Sequence, residues 1–207
     1  MESTLQMSKP AINQYPLTPL IEARWSPRAF ADKAVETGKI CSVLEAARWA
    51  HSSSNEQPWR FFVATPTVNP EALQKLQALL VPGNSWAKKA PVLMLSVAKL
   101  FFDYNGQPNR HAYHDVGLAV ENMVLQALSM DLYVHQMGGF DFEKAVDTLG
   151  IPPGYEPVAM IAMGYLGSPD SLDEKLKARE IAPRSRNPLQ DTAFSGHWGD
   201  TYPVCFT

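Results

Sequence analysis

Short apolar runs that alternate with segments of helical periodicity constrain the fold of this chain most strongly. The run from Val92 to Ala98 carries no charged residue, which is typical of a strand buried on both faces. Further strands are predicted from Trp59 to Ala64, from Tyr133 to Gln136 and from Val158 to Met163. Because strands and helices are interleaved, we expect an α/β or α+β layered domain.

The helices are predicted from apolar spacing and from residues that favour helix ends. Thr18 and Pro19 are expected to start a short helix that runs through Ala23 or Arg24. Apolar residues at three- and four-residue spacing predict a long helix from about His111 to Met130. Other helices are predicted after Thr37, from Asn69 and Pro70, from Asp141 to Leu149, and after the capping-box pair Ser171 and Glu174.

The length favours one domain that spans the whole chain. At 207 residues the chain can bury a sizeable core without a metal or disulfide staple. Residues 1–15 lack periodicity and are expected to form a loose N-terminal arm, and residues 189–207 form a C-terminal extension. Within that extension, Tyr202 to Phe206 is predicted to be a terminal strand.

Composition excludes several classes of function. A net charge of −3 lacks the basic character of a nucleic-acid binder. No stretch approaches the roughly 20 consecutive apolar residues of a membrane span. Cys41 and Cys205 are too few for a disulfide framework and fit a reducing compartment. We therefore expect a cytoplasmic protein that binds neither nucleic acid nor membrane.

Common catalytic and metal-binding signatures are absent. The sequence has no G-x-G-x-x-G, no Walker loop, no nucleophile elbow and no H-E-x-x-H. His111 and His114 could share a helix face as metal ligands, but they lack a partner at a familiar spacing. Surface or pocket histidines are the preferred interpretation, and no metal is expected.

Two arginine-rich segments and one polar loop are the candidate binding elements. Arg24-Trp25-Ser26-Pro27-Arg28 and Arg184-Ser185-Arg186 carry guanidinium groups that could hold a dianion such as phosphate. Taken alone, both segments are better interpreted as solvated basic patches than as an anion site. The loop from Ser52 to Trp59 could bind the edge of a heterocycle or could serve only as a capping loop.

The order of these elements resembles the nitroreductase family. The pattern begins with R-x-S-x-R-x-F from Arg24 to Phe30 and continues with S-S-x-N-x-Q-P-W from Ser52 to Trp59. Asp115-x-Gly117-x-Ala119-x-x-Asn122 is similar to the family's central helix. The later landmarks are Gly138-Gly139-Phe140-Asp141, Leu149-Gly150-Ile151-Pro152, Gly164-Tyr165 and Arg184-x-Arg186 with Pro188. The match covers roughly Ile21 to Pro188, which is most of the chain.

The resemblance implies an α+β fold with a mixed, largely antiparallel sheet flanked by helices, in an intertwined homodimer that binds FMN between subunits. The phosphate would be held in the region of Arg24, Trp25, Ser26 and Arg28 together with Arg184 and Arg186. Asn84 and Met137 to Gly139 would border the flavin ring, with the Gly138 N–H near N5. The partner would cover the ring with His51, Ser52, Ser53 and Asn55.

The reaction implied by the resemblance is hydride transfer from NADPH or NADH to flavin N5, followed by reduction of a nitroaromatic or quinone-type acceptor at the same face. No side chain needs to act as a catalyst, because the cofactor carries the chemistry. Two alternatives stay open. One is a different reaction on the same fold, namely flavin fragmentation, dehalogenation or azoline oxidation; the other is a flavin-binding or storage protein without turnover.

The segment between the second strand and the long helix is aromatic, and in relatives it often lines the substrate channel. The residues expected to contact substrate are Phe101, Phe102, Tyr113 and His114. An aromatic lid and an ordinary packed loop are equally compatible with this composition. The sequence also departs from the family at His51, Trp25 and Gly138, where other residue types are common.

Overall fold

The structure, a computed structural model, describes residues 7–203. Four strands form one antiparallel sheet in the order β1-β2-β4-β3. The strands are β1 (Trp59–Ala64), β2 (Val92–Lys99), β3 (Leu132–Met137) and β4 (Tyr155–Tyr165). The predicted strands are thus confirmed, although β4 begins earlier than Val158 and the described pairings are all antiparallel.

Within residues 7–203, six α-helices surround the sheet, so the α+β class is confirmed. The long helix is shorter at both ends than the predicted His111–Met130. The helices are α1 (Pro19–Ala23), α2 (Thr37–Arg48), α3 (Pro70–Gln77), α4 (Ala112–Leu128), α5 (Phe142–Leu149) and α6 (Glu174–Ile181). Short 3-10 segments occur at Ser53–Asn55, Pro82–Lys89, Pro169–Ser171 and Leu189–Asp191.

Strand β2 separates two apolar clusters, as its uncharged sequence predicts. Its residues alternate between the faces: Val92 and Met94 pack with α2 and α4, whereas Leu93 and Leu95 pack with α3 and α5. Every residue of β2 is buried. The fold is therefore a three-layer arrangement in which the sheet lies between two pairs of helices.

Two predicted helix caps do not form. The Thr18 side chain makes no capping hydrogen bond; its backbone carbonyl instead accepts from Glu22 N–H. Ser171 lies in a 3-10 segment, and the N-cap of α6 is Asp173, whose carboxylate accepts from Leu176 N–H at 2.8 Å. An aspartate two residues after Ser171 is the stronger cap because its charged oxygen can reach the free amides of the first turn.

The N-terminal and C-terminal parts of the described chain are joined by direct contacts. Lys9 Nζ donates to the carbonyl of Glu180, and Arg184 Nη1 donates to the carbonyls of Lys9 and Glu22 at 2.8 Å each. Ala11 N–H also bonds to Glu22. Of the predicted terminal strand, Val204 to Phe206 lie outside the described residues, and Thr201 forms an isolated bridge with Phe194.

Glu180 connects helix α6 to the segment that follows α1. Its carboxylate is fully buried and accepts hydrogen bonds from the backbone N–H groups of Arg28 and Ala29, at 2.8 to 3.0 Å. The Arg28 guanidinium lies 3.9 Å away and supplies a compensating positive charge. Glu180 is 151 or more positions from residues 28–29 in sequence, so this contact closes a long loop.

We expect Glu180→Ala to lower the free energy of unfolding by about 2–4 kcal/mol, because it leaves two buried amides without an acceptor beside an uncompensated Arg28. Glu180→Gln, which keeps one acceptor oxygen, should lose less. Urea denaturation followed by circular dichroism measures both effects. Glu174→Ala, at an exposed carboxylate of the same helix, is the matched control. Equal losses in the Glu174 and Glu180 variants would contradict the anchoring role.

Candidate functional site

The segment Arg24–Arg28 is held rigidly along the edge of the sheet. The Trp25 indole is 5% exposed and packs edge-to-face on Tyr133, with ring centroids 6.1 Å apart. Phe30 forms a bridge with Leu166, immediately after β4. Trp25 was predicted to contact a cofactor, but its side chain belongs to the packed interior, which leaves only its backbone to face a ligand.

His135 on β3 supports the Arg24–Arg28 segment through a hydrogen bond. Its Nδ1 lies 2.9 Å from the Pro27 carbonyl, which can only accept, so Nδ1 carries the proton. Trp86 packs against the imidazole with ring centroids 4.6 Å apart. Burial, reinforced by the charges of Arg28 and Arg179, lowers the pKa of His135 to about 4. The imidazole is therefore neutral at physiological pH and acts as a hydrogen-bond donor to the loop.

Three guanidinium groups form the arginine cluster, defined as Arg24, Arg184 and Arg186. The pKa of Arg184 is lowered by burial first and then by the positive charges of Arg24 and Arg186. Arg24 Nη1 also lies 3.4 Å from Ser26 Oγ, which brings that hydroxyl to the cluster. Within residues 7–203, none of the three arginines forms an ion pair with a carboxylate. Uncompensated positive charge of this kind favours a bound anion.

Arg28 differs from the cluster although the sequence placed it with the other arginines. Its guanidinium lies over the Trp86 ring at 5.9 Å and beside Glu180, and burial, followed by the charge of Arg179, lowers its pKa. The charge of Arg28 is therefore partly neutralised within the fold, whereas that of the arginine cluster is not.

A cleft of about 1020 Å³ lies next to the arginine cluster. It runs between residues 11–17, which include the end of the N-terminal arm, and residues 184–192. Both Arg184 and Arg186 line it. Neither Gly138 nor Asn84 lines this cleft. It therefore contains part of the predicted phosphate site and none of the residues predicted to border a ring.

The glycine pair that follows β3 is fixed by Asn84. Asn84 Nδ2 donates to the Gly139 carbonyl at 2.9 Å, so two residues predicted from separate parts of the sequence meet. A Cβ on Gly139 would lie 2.6 Å from Asn84 Nδ2, whereas a Cβ on Gly138 would meet nothing within 4 Å. Among the described residues, no acceptor bonds to the Gly138 N–H. Met137 is 4% exposed, and its side chain packs in the core.

The polar loop, defined as residues 51–57, lies at a different part of the molecule. Ser53 N–H donates to Asp115 at the start of α4 at 3.0 Å, and Gln57 N–H donates to Ser52 Oγ at 2.9 Å. His51 and Asn55 are exposed. No hydrogen bond or ring contact joins this loop to the arginine cluster or to Gly138 in the part of the chain that the structure describes.

The aromatic residues predicted to contact substrate are arranged near the start of α4. Phe101 is 43% exposed and bridges Pro108, and Phe102 packs on Tyr104 with centroids 5.2 Å apart. The Tyr113 hydroxyl donates to Glu156, and this bond raises the pKa of Tyr113 to about 12. The fourth residue, His114, is exposed and lies 3.3 Å from the Asp115 carboxylate.

Sequence reasoning missed the residues that support these groups. Glu180 and His135 position the Arg24–Arg28 segment, and Asp115 positions the polar loop. The central-helix motif includes Asp115, but the sequence did not indicate that Asp115 bonds to the Ser53 N–H. Glu180 and His135 gave no local signal because their partners are more than 100 positions away.

The described residues contain neither a candidate membrane span nor a candidate metal cluster. No helix in residues 7–203 has the length and apolar character needed to cross a membrane. Within the same range, no three histidine, cysteine, aspartate or glutamate side chains gather in a way that could hold a metal ion.

Comparison with known proteins shows consistent similarity to one family. The model of the nitroreductase family matches residues 21–165. A putative NADH dehydrogenase/NAD(P)H nitroreductase of Archaeoglobus fulgidus is 25% identical over 150 residues, covering 70% of this chain and 83% of that protein. An uncharacterised 15.4 kDa protein of Mycolicibacterium smegmatis is 37% identical over 130 residues, covering 63% of this chain and 86% of that protein.

A solved structure described as an oxidoreductase containing FMN superposes with a TM-score of 0.85. Its sequence is 35% identical, and the match covers 91% of this chain and 96% of that chain. The family match extends from α1 to the end of β4 and so includes the Arg24–Arg28 segment, the polar loop and the glycine pair. The chain belongs to the nitroreductase family of oxidoreductases.

Proposed function

We propose that this protein is an FMN-dependent NAD(P)H oxidoreductase that reduces nitroaromatic or quinone-type acceptors in a ping-pong reaction. The observation that carries the proposal is the arginine cluster, which holds concentrated positive charge without a carboxylate partner among the described residues. The FMN named for the similar solved structure and the NAD(P)H named for the Archaeoglobus relative support the same assignment. A cytoplasmic location would supply both the coenzyme and the reducing conditions.

The donor set of the arginine cluster fits a phosphate monoester. Planar guanidinium groups bind phosphate oxygens in pairs, and the Ser26 hydroxyl is a further donor. Arg184 donates one nitrogen to the Lys9 and Glu22 carbonyls, which fixes the direction of its remaining N–H groups. We assign the phosphate to Arg24, Ser26, Arg184 and Arg186, and we assign Arg28 a supporting role beside Glu180.

The glycine pair fits the edge of a flavin ring. His135 on β3 contacts the Arg24–Arg28 segment. Gly138 comes three residues later, just after the strand, which is roughly 10 Å of extended chain. The unbonded Gly138 N–H is a suitable donor to N5, and the Cβ-free Gly139 lets Asn84 approach. A bound FMN would supply hydride-transfer chemistry between NAD(P)H and the acceptor, and Asn84, Gly138 and Gly139 would hold its ring edge.

The chain itself has to bind, orient and exclude water. The N–H of Gly138 would stabilise negative charge that develops on the ring, and fixed backbone donors do so without reorganising. The polar loop would cover the ring, and the aromatic residues Phe101, Phe102, Tyr113 and His114 would contact the acceptor. No acid–base pair is required of the side chains.

We further propose that the active unit is a homodimer. The polar loop does not contact the arginine cluster or Gly138 within one chain, so a complete site requires the loop of a second copy. An exposed apolar surface that includes Trp49, at 72% exposure, and Leu20 is available for this pairing. A two-fold arrangement would create two equivalent sites from the same residues.

The first experiment is an absorption spectrum of the purified protein, followed by anaerobic addition of NADPH or NADH. We expect the bands of oxidised flavin, which lie near 370 and 450 nm for this chromophore generally, to bleach after either addition. A colourless protein that does not take up added FMN would contradict the cofactor assignment. A yellow protein that neither coenzyme bleaches would instead support a flavin-storage role.

Arg186→Ala tests the phosphate assignment. We expect the dissociation constant for FMN to rise about 10-fold, the equivalent of one charge-assisted hydrogen bond, while riboflavin binding stays unchanged because riboflavin lacks the phosphate. Flavin fluorescence quenching measures both constants. Arg48→Ala is the matched control, since Arg48 is an exposed arginine paired with Glu45. An equal loss of FMN and riboflavin affinity would contradict the assignment.

Gly139→Ala tests the ring edge against Gly138→Ala. The new Cβ at position 139 would displace Asn84 Nδ2, which lies 2.6 Å from the Cβ position, whereas position 138 has free space. We expect Gly139→Ala to weaken the binding of both FMN and riboflavin about 10-fold through loss of this hydrogen bond and its packing, and Gly138→Ala to change it little. Fluorescence titration measures these constants. Equal behaviour of the two variants would contradict the role of the Asn84 contact.

A further inference from the structure

The polar loop stores backbone strain that the rest of the fold must hold in place. Ser54, Asn55 and Gln57 have φ values of 53°, 56° and 51°, in the left-handed region that side-chain-bearing residues rarely adopt. Each such residue is destabilising unless its surroundings compensate. Three of the four non-glycine residues with positive φ in residues 7–203 lie in this loop.

Two buried carboxylates hold the loop from opposite sides. Asp115 accepts from Ser53 N–H at one end, and Glu56, within the loop, reaches the end of β2. The Glu56 side chain is 6% exposed. A buried carboxylate must be compensated by charge or hydrogen bonds. The partners of Glu56 therefore show which parts of the fold its side chain connects.

Glu56 uses one oxygen for two separate partners. Its Oε1 accepts from Lys99 Nζ at 2.8 Å and from the backbone N–H of Asp103 at 2.7 Å. Lys99 is the last residue of β2, and its own N–H bonds to Pro58 at 2.8 Å. Asp103 belongs to the aromatic segment, defined as residues 101–109. The same oxygen therefore contacts both the central strand and the aromatic segment.

The Lys99 ammonium is the charge partner that keeps this arrangement in place. Burial acts to lower the pKa of Lys99, but its hydrogen bonds to Asp103 and Glu56 more than offset burial and raise it. The ion pair between Lys99 and the Asp103 carboxylate lies at the surface, since that carboxylate is 81% exposed. The Glu56 contact is the enclosed one, with side-chain exposures of 10% for Lys99 and 6% for Glu56.

The aromatic segment is otherwise closed mainly on itself. Phe102 N–H bonds to Gln107, Gly106 N–H bonds to Phe102, and Asn109 N–H bonds to Leu100, which makes a small hairpin. The ring of Phe101 extends to Gly154 before β4. The Glu56–Asp103 bond is thus a side-chain tether between this hairpin and the polar loop.

We infer that Glu56 is a positioning residue that locks the aromatic segment to the polar loop and thereby sets the shape of the acceptor pocket. The inference rests on the proposed function, since both segments are assigned there to the flavin and its acceptor. The tether itself is a property of the free chain and can be measured without cofactor.

Hydrogen exchange of the full chain, with Glu56→Ala against wild type, tests the tether. We expect amides in residues 101–106 to exchange on the order of 10-fold faster, since the Asp103 N–H loses a charged acceptor, while β2 amides stay protected. Glu71→Ala removes an exposed carboxylate of α3 and should change nothing there. Asp103→Asn, which keeps the backbone N–H, should retain the protection. If Glu56→Ala does not fold, Glu56→Gln, which keeps an acceptor oxygen, should show a smaller increase.

Steady-state kinetics with menadione and p-benzoquinone test the pocket. In Glu56→Ala we expect KM for the bulky menadione to rise roughly 3- to 10-fold with kcat nearly unchanged, and KM for the small quinone to change less. Unchanged exchange in residues 101–106 would overturn the tether. Faster exchange with unchanged KM would overturn the role in acceptor fit. A wild-type protein that binds no FMN would refute the proposed function while the exchange result still decides the tether.

Discussion

The buried Glu180 carboxylate is the interaction on which the candidate site most depends. It accepts hydrogen bonds from the backbone N–H groups of Arg28 and Ala29, in the segment that follows α1. The Arg28 guanidinium lies beside it, so a positive charge inside the fold compensates the carboxylate. Because Glu180 is on α6, the same contact also sets where the chain continues toward Arg184 and Arg186. The consequence is a separation of roles among arginines that look alike in sequence. Arg28 is compensated internally, whereas the arginine cluster has no carboxylate partner within residues 7–203.

The two assigned halves of the site rely on different physical devices. At the phosphate end, burial and then the positive charges of Arg24 and Arg186 lower the pKa of Arg184, and the concentrated positive charge favours anion binding. At the ring end, the chain offers uncharged groups: a free amide at Gly138 and a close Asn84 contact that only glycine at 139 permits. A flavin needs this combination because its phosphate is a dianion and its ring is flat and nearly neutral.

Local elements could be predicted from the sequence because periodicity and caps are short-range signals. The boundaries of β1, the face of α4 and the Asn69 cap of α3 follow directly from them. Ser171 illustrates the limit, because the capping-box pattern indicated Ser171 whereas the helix is capped by Asp173, two residues later. The motif order pointed to the arginines and glycines of the candidate site. The carboxylates and His135 that position them could not be predicted, because burial and partners distant in sequence define their roles.

In the proposed homodimer, the polar loop would complete the site of a second copy of the chain. Its strained residues are held by Asp115 and Glu56, and His51 and Asn55 are exposed. Within residues 7–203, no hydrogen bond or ring contact joins the loop to the arginine cluster or to Gly138. In a two-fold dimer, each loop would cover the ring held by the other copy, and Glu56 would then link the aromatic segment of one chain to the flavin of its partner. The residues that contact the acceptor and the loop that covers the cofactor would move together. Asp115 and Glu56, which anchor the polar loop, would therefore set the shape of the pocket along with the aromatic rings.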